Sequence, residues 1–177
     1  MTMKATRHLF LGLIVFVAVF VIPHQAHSQE LADSLVLAVT DANNLRNTLV
    51  LGHHPEATLN FDWTLRESPV PPVPIDQIFD VRFLDPPGFP RRPATGAYRD
   101  IRGFGPADSD TFFVHCQPLN EGFPMRMKWN PALAVVEYAV AELRSFDGSK
   151  LICDMRSKHE ITIAGRGDSR FMIIVRR

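Results

Sequence analysis

One short pattern of opposite charges recurs along the chain. Asp80-Val81-Arg82, Asp100-Ile101-Arg102 and Asp154-Met155-Arg156 each set a carboxylate two residues before a guanidinium. In an extended strand, residues two apart project from the same face, so each copy presents an ion pair on one side of its strand. If the three strands are neighbours, the pairs form a cross-strand ladder, each pair worth roughly 0.2–1 kcal/mol on a sheet surface. The chemistry open to such a face is polar recognition, for example of a glycan. The plainer outcome is register and solubility of the sheet.

Other residues offer separate chemistries. Arg166-Gly167-Asp168, followed by Ser169, spells the tripeptide that integrins recognise. A hairpin tip there would splay Arg and Asp from a Gly-centred turn, although Gly and Asp are also what a tight turn requires on its own account. Cys116 and Cys153 are the only cysteines. In an oxidising compartment they are candidates for a disulfide. Closing a loop of about 38 residues would stabilise the fold by roughly 4 kcal/mol in the chain-entropy model. Left apart, they pack as small hydrophobes. His53-His54 near Glu56 is a poor metal site, because adjacent strand residues point to opposite faces and no third ligand has matching spacing. The pair is expected in a solvated loop, and His115 as a packed or edge histidine rather than a base. No metal and no cofactor is expected. No Gly-rich phosphate loop, nucleophile elbow, paired zinc ligands or Ser–His–Asp set with recognisable context is present, so no catalytic residue is assigned.

The elements that must position these residues read as short strands. Leu35, Leu37 and Val39 alternate on one face, Asp41 to Asn44 makes a turn, and Asn47 to Leu51 returns as a first hairpin. Gly52 to Leu65 reads as a loop with one short helical turn. Ser68 to Pro74 holds four prolines; that density favours a stiff extended strap laid across a sheet edge. Ile78 to Phe83, Ala97 to Arg102, Thr111 to Gln117 and Met125 to Trp129 follow as strands, with Met125, Met127 and Trp129 inward. Val135 to Phe146 suits either a helix or a strand. The strand is preferred because Asp147-Gly148 is a hairpin signal with Lys150 to Met155 as the returning partner. His159 to Ile163 and Arg170 to Val175 are expected to form a last hairpin through Gly165 to Ser169. About nine short strands with regular turns indicate an all-β fold, an antiparallel β-sandwich.

The first 28 residues supply an address. Lys4 and Arg7 precede an apolar run from Leu9 to Ile22, Pro23 breaks it, and Ala26-His27-Ser28 places small residues before Gln29. This is the layout of a cleaved secretory signal helix. The run of about 14 residues falls short of the roughly 20 that span a bilayer; an uncleaved anchor is the alternative. Residues 1–28 are thus read as signal peptide and 29–177 as a single domain, secreted or held in the periplasm or cell envelope. The leader holds two of the 19 basic residues and none of the 19 acidic ones. The remaining slight acidity argues against a nucleic-acid partner and against membrane contact other than through the leader before cleavage.

Several strings also occur in a set order: Gly52 through Phe61-Asp62; Glu67 with Pro69, Pro71, Pro72 and Pro74; Phe79-Asp80-Val81-Arg82-Phe83; Tyr98-Arg99-Asp100-Ile101-Arg102; Lys128-Trp129-Asn130-Pro131; and Asp154-Met155-Arg156-Ser157. Over most of residues 35–175 the chain resembles the β-sandwich module of exported bacterial proteins that often carry a C-terminal type IX secretion sorting domain. The resemblance implies an immunoglobulin-like sandwich in a cell-surface or extracellular protein, with no enzymatic role. The sorting domain is expected to be absent here, since Arg177 follows the last predicted strand directly.

Together these readings favour a secreted, non-catalytic module with a binding, adhesion or surface-structural role and a protein or glycan partner. The alternatives are a small secreted hydrolase or sugar-acting enzyme, or an accessory subunit of an envelope assembly. A cleft lined by Asp100, Asp154 or His115 would favour the enzyme; a flat, closed sandwich would favour the module.

Overall fold

The computed structural model describes residues 34–177 except 59, 73, 75–77, 86–95 and 104–108. The leader and most of the Pro-rich loop after Asp85 lie outside the described residues. The strands are β1 (Ser34–Thr40), β2 (Arg46–His53), β3 (Asp80–Leu84), β4 (Arg99–Arg102), β5 (Ser109–Gln117), β6 (Met125–Lys128), β7 (Val140–Ser145), β8 (Leu151–Asp154), β9 (Glu160–Ile163) and β10 (Arg170–Arg176), with one helix, α1 (Pro131–Glu137). One sheet runs β4-β2-β1-β6-β9 and the other β3-β5-β10-β7-β8.

Period-two alternation builds the core. Leu35, Leu37, Val39, Leu49, Leu51, Met125 and Met127 line the inner face of the first sheet. Val81, Phe83, Phe112, Val114, Phe171, Ile173 and Val175 answer from the second, and all are buried in one cluster. The fold is therefore a mostly β sandwich, with ten strands among the described residues where about nine were expected. Trp129 turns inward as its alternation requires, and its indole N–H donates to the Met155 carbonyl at 2.8 Å. Both hairpins rest on an aspartate. Asp41 Oδ1 accepts the backbone N–H groups of Asn43 and Leu45. Asp147 does the equivalent for Ser149, with Gly148 at φ 74° supplying the left-handed step.

The proline strap lies against the β3 edge of the second sheet. The Val70 N–H donates to the Gly96 carbonyl, and Ala97 exchanges both backbone bonds with Phe83. Gly96 sits at φ 73°, and a Cβ there would run into the Phe83 carbonyl. The open edge of β4 is held by Glu67, a fully buried residue whose carboxylate accepts the Ile101 N–H at 2.7 Å and the Asp62 N–H at 3.0 Å.

Four sequence expectations need correction. The stretch from Val135 to Phe146 is not one strand: residues 135–137 end the helix α1, and only Val140–Ser145 is strand. The helix signal was Asn130-Pro131: the Asn130 side chain accepts the Ala132 N–H at 3.0 Å and Pro131 occupies the first turn. The last hairpin does not exist. β9 pairs with β6 and β10 pairs with β5 and β7, in different sheets. The sheets are not wholly antiparallel, because β4 runs parallel to β2. Consecutive strands share a sheet as neighbours only at β1–β2 and β7–β8; every other connection crosses the sandwich.

The fourth correction concerns the cysteines. Cys116 on β5 and Cys153 on β8 are free and buried. β10 and β7 lie between their strands, which sets them roughly 14 Å apart at about 4.8 Å per strand, twice what a disulfide spans. Burial, with Asp80 adding to it, pushes the Cys116 thiol far above its usual range, so it stays protonated and inert. Under native conditions a thiol-reactive dye is expected to label neither cysteine within minutes and both in denaturant, with identical masses before and after reduction. Fast native labelling would show that the sandwich opens at this end.

Candidate functional site

The Asp-x-Arg copies do not form a ladder. Arg82 clasps Asp80 within β3, Nε to Oδ2 at 2.6 Å and Nη2 to Oδ1 at 2.7 Å. Its Nη1 donates to the Pro71 carbonyl of the strap. Both residues are buried. Arg102 clasps Asp100 within β4 at 2.9–3.2 Å, and Asp100 is also buried. β3 and β4 are edges of opposite sheets, so the two pairs cannot stack. The third copy is not an ion pair: Asp154 accepts the Arg156 backbone N–H, and the Arg156 guanidinium donates to the Ala139 carbonyl. The strap holds the first pair and Asp110, Thr111 and Phe112 of β5 hold the second, which makes them internal fastenings rather than an accessible polar face.

A second polar cluster joins the sheets. His53, at the end of β2, is buried rather than in a solvated loop, and its Nε2 meets Asp110 Oδ2 of β5 at 2.7 Å. The Tyr138 hydroxyl lies 3.4 Å from His53 Nδ1. Arg102 adds contacts to Asp110 at 3.4 Å and to the Thr111 carbonyl at 2.9 Å, with its guanidinium 4.0 Å above the Phe112 ring. Burial pushes the Asp110 carboxyl up, but the bonds and charges of His53 and Arg102 outweigh it and hold it below its usual range. The signal for this cluster was available: His53 continues the inward series Leu49, Leu51, and Asp110 begins the series Phe112, Val114. Both ring nitrogens of His53 are engaged by Asp110 and Tyr138, so the imidazole is a link between sheets rather than an available base.

The other end of β5 opens into a cleft of about 690 Å³. It lies where β5 ends, β10 begins and the β7–β8 turn passes. Phe123, Phe146, Phe171 and Ile152 form apolar wall, and His115, Asp147, Lys150, Arg166 and Arg170 supply polar groups. Arg170 lies over the Phe146 ring at 5.9 Å, and Phe146 meets Phe113 edge-on at 5.4 Å. Asp147 accepts from Ser145 Oγ and from Ser149 N and Oγ, which holds its carboxyl at about 2. His115 is only 8% exposed. Neither of its ring nitrogens finds a hydrogen-bond partner of normal geometry, and the nearby Gln117 amide donates to the Ile78 carbonyl at 2.8 Å.

Burial, with the Arg170 and Arg82 guanidinium groups adding to it against Asp80 and Gln117, presses the His115 imidazole below its usual range. A depressed folded value means that the unfolded chain takes up this proton first as pH falls. The contribution is intact above about 6.5 and is lost as pH drops from there toward the folded value. Between pH 7.5 and 5, wild type is therefore expected to lose more melting temperature than His115→Gln. Parallel slopes would show that His115 is hydrated.

Of the residues singled out from sequence, His115, Cys116, Arg166 and Gly167 border the cleft, while Asp80, Arg82, Asp100, Arg102, Asp154 and Arg156 do not. Arg166–Asp168 is a short 3-10 turn leading into β10, not a hairpin tip. The cleft draws on β5, the loop before β6, the β7–β8 turn and the entry to β10, so no single sequence window could announce it. Among the described residues no group of three or more His, Cys, Asp or Glu could hold a metal ion, and no helix is long and apolar enough to cross a membrane. Comparison with protein-family models, curated proteins and solved structures finds no match to the chain.

Proposed function

We propose that this protein is an exported, non-catalytic β-sandwich module that binds a ligand in the cleft beside His115. The observation that carries the reading is the cleft itself, in which Lys150 and Arg170 stand beside the Phe146 ring. The volume of about 690 Å³ falls within the 300–1,000 Å³ typical of small-molecule sites. The charged, apolar and small-residue segments of the leader support export to the periplasm, envelope or medium. The many crossings between sheets support the immunoglobulin-like form of the sandwich, and the resemblance to exported bacterial modules supports a surface role with a protein or glycan partner.

Backbone amide shifts of the protein beginning at Gln29, followed while a panel of sugars and small acids is titrated, test the binding reading. Saturable shifts grouped at residues 115–117, 145–150 and 166–171 are expected; a panel that moves none of these groups overturns it. One observation favours a hydrolase instead, namely that His115 lines the cleft. Turnover of chromogenic esters or glycosides that His115→Gln abolishes would replace binding with catalysis.

A further inference from the structure

We propose that the cleft selects a small organic anion, a ring with an apolar face carrying one acid group, held by Arg170 and Lys150 with that face against Phe146. This rests on the cleft being a binding site and goes on to name what it takes. Outside the leader the chain has 17 basic residues against 19 acidic ones. Among its described side chains the cleft reverses that balance, with Lys150 and Arg170 against one carboxylate, Asp147. Asp147 offsets one of those charges, and its oxygens are taken by hydrogen bonds from the Ser145 and Ser149 groups of its own turn rather than by either cation. Elsewhere Arg82, Arg102, Arg144 and Lys128 each hold a carboxylate. Lys150 and Arg170 have no such partner among the described residues.

Lys150 and Arg170 are exposed at the cleft, where they can turn toward a bound anion. Arg170 over Phe146 makes a flat edge that combines a forked donor with an aromatic wall. Guanidinium groups bind carboxylate, sulfate and phosphate through paired N–H donors. His115 stands next to Arg170 across the β5–β10 ladder. Phe123, Phe171 and Ile152 add apolar lining, which disfavours a small hydrated ion and favours a body with a ring.

An aromatic acid and an acidic sugar share this chemistry, and two probes separate them. The protein is titrated with 2-naphthoate, with its uncharged isostere 2-naphthamide and with D-glucuronate, using amide shifts for location and calorimetry for affinity. At least one of the two acids is expected to saturate at the cleft, and the acid that does so assigns the source. 2-Naphthamide, or glucuronamide in the sugar case, is expected to bind at least about tenfold more weakly, the factor for one charge-assisted hydrogen bond. Arg170→Gln and Lys150→Gln should each weaken the acid severalfold without lowering the melting temperature, while Arg170→Lys, which keeps the charge, should weaken it less. Equal affinity for acid and amide at the cleft overturns anion selection and leaves the cleft as a site for neutral ligands. No cleft shift with either acid or amide overturns both.

Discussion

Replacing Arg82 with methionine is expected to lower the unfolding free energy by about 3–5 kcal/mol, out of a total of roughly 5–15 kcal/mol for a domain. The effect is large because of what remains. Asp80 is 4% exposed and both its oxygens lean on Arg82, so removing the guanidinium leaves a buried carboxylate without compensation. Methionine fills much of the volume, which separates the charge effect from a cavity. The Pro71 contact goes too, so the strap loosens from the β3 edge. Replacing both partners, Asp80→Leu with Arg82→Met, is expected to recover most of the loss, since a buried pair repays its desolvation only in part. Urea unfolding of the wild type, the two single variants and the double variant closes the cycle. A single-variant loss below about 1 kcal/mol, the range of exposed pairs, would show that water reaches Asp80.

The same residues show what the sequence could and could not say. Alternation identified nearly every strand, because one buried face imposes a period of two wherever a strand lies on the core. It also carried the Asp-x-Arg spacing correctly to within-strand ion pairs on β3 and β4, though not at Asp154 and Arg156. It could not say which strands are neighbours. Asp80–Arg82 and Asp100–Arg102 were candidates for one ladder and lie on edges of opposite sheets. Cys116 and Cys153 occupy one sheet with two strands between them. β9 and β10, separated by a turn that reads as a hairpin, part company across the sandwich. Pairing is decided by long-range packing, and a chain that crosses between its sheets at most turns hides it from local reading. His53 is a different kind of miss. Its position in the inward series after Leu49 and Leu51 was legible, but a histidine with an adjacent histidine and a following proline suggested solvent. The cleft was the least legible feature, since its cations become neighbours only through the β5–β10–β7 pairing.

Phe112→Ala is the second large expected loss, about 3–5 kcal/mol by the cost of truncating a buried aromatic. Phe112 is fully buried, packs 6.0 Å from the Phe83 ring and meets His53 edge-on at 6.1 Å. It is also the surface on which Arg102 rests. Truncation therefore removes apolar burial and, in addition, the platform that aligns Arg102 with Asp100 and Asp110, a cation–π contact worth roughly 0.5–2 kcal/mol. The two contributions separate by experiment. Phe112→Leu keeps most of the volume and loses the ring, so it should cost less than the alanine variant yet still loosen Arg102. A double-mutant cycle between Phe112→Leu and Arg102→Met should return a coupling of about 0.5–2 kcal/mol. The His53 ring resonances should shift in Phe112→Leu but not in a core variant at the far end such as Phe171→Leu. Zero coupling would mean that Arg102 is fixed by its carboxylates alone, and that the link between the sheets stands on His53 and Asp110 without the aromatic beneath it.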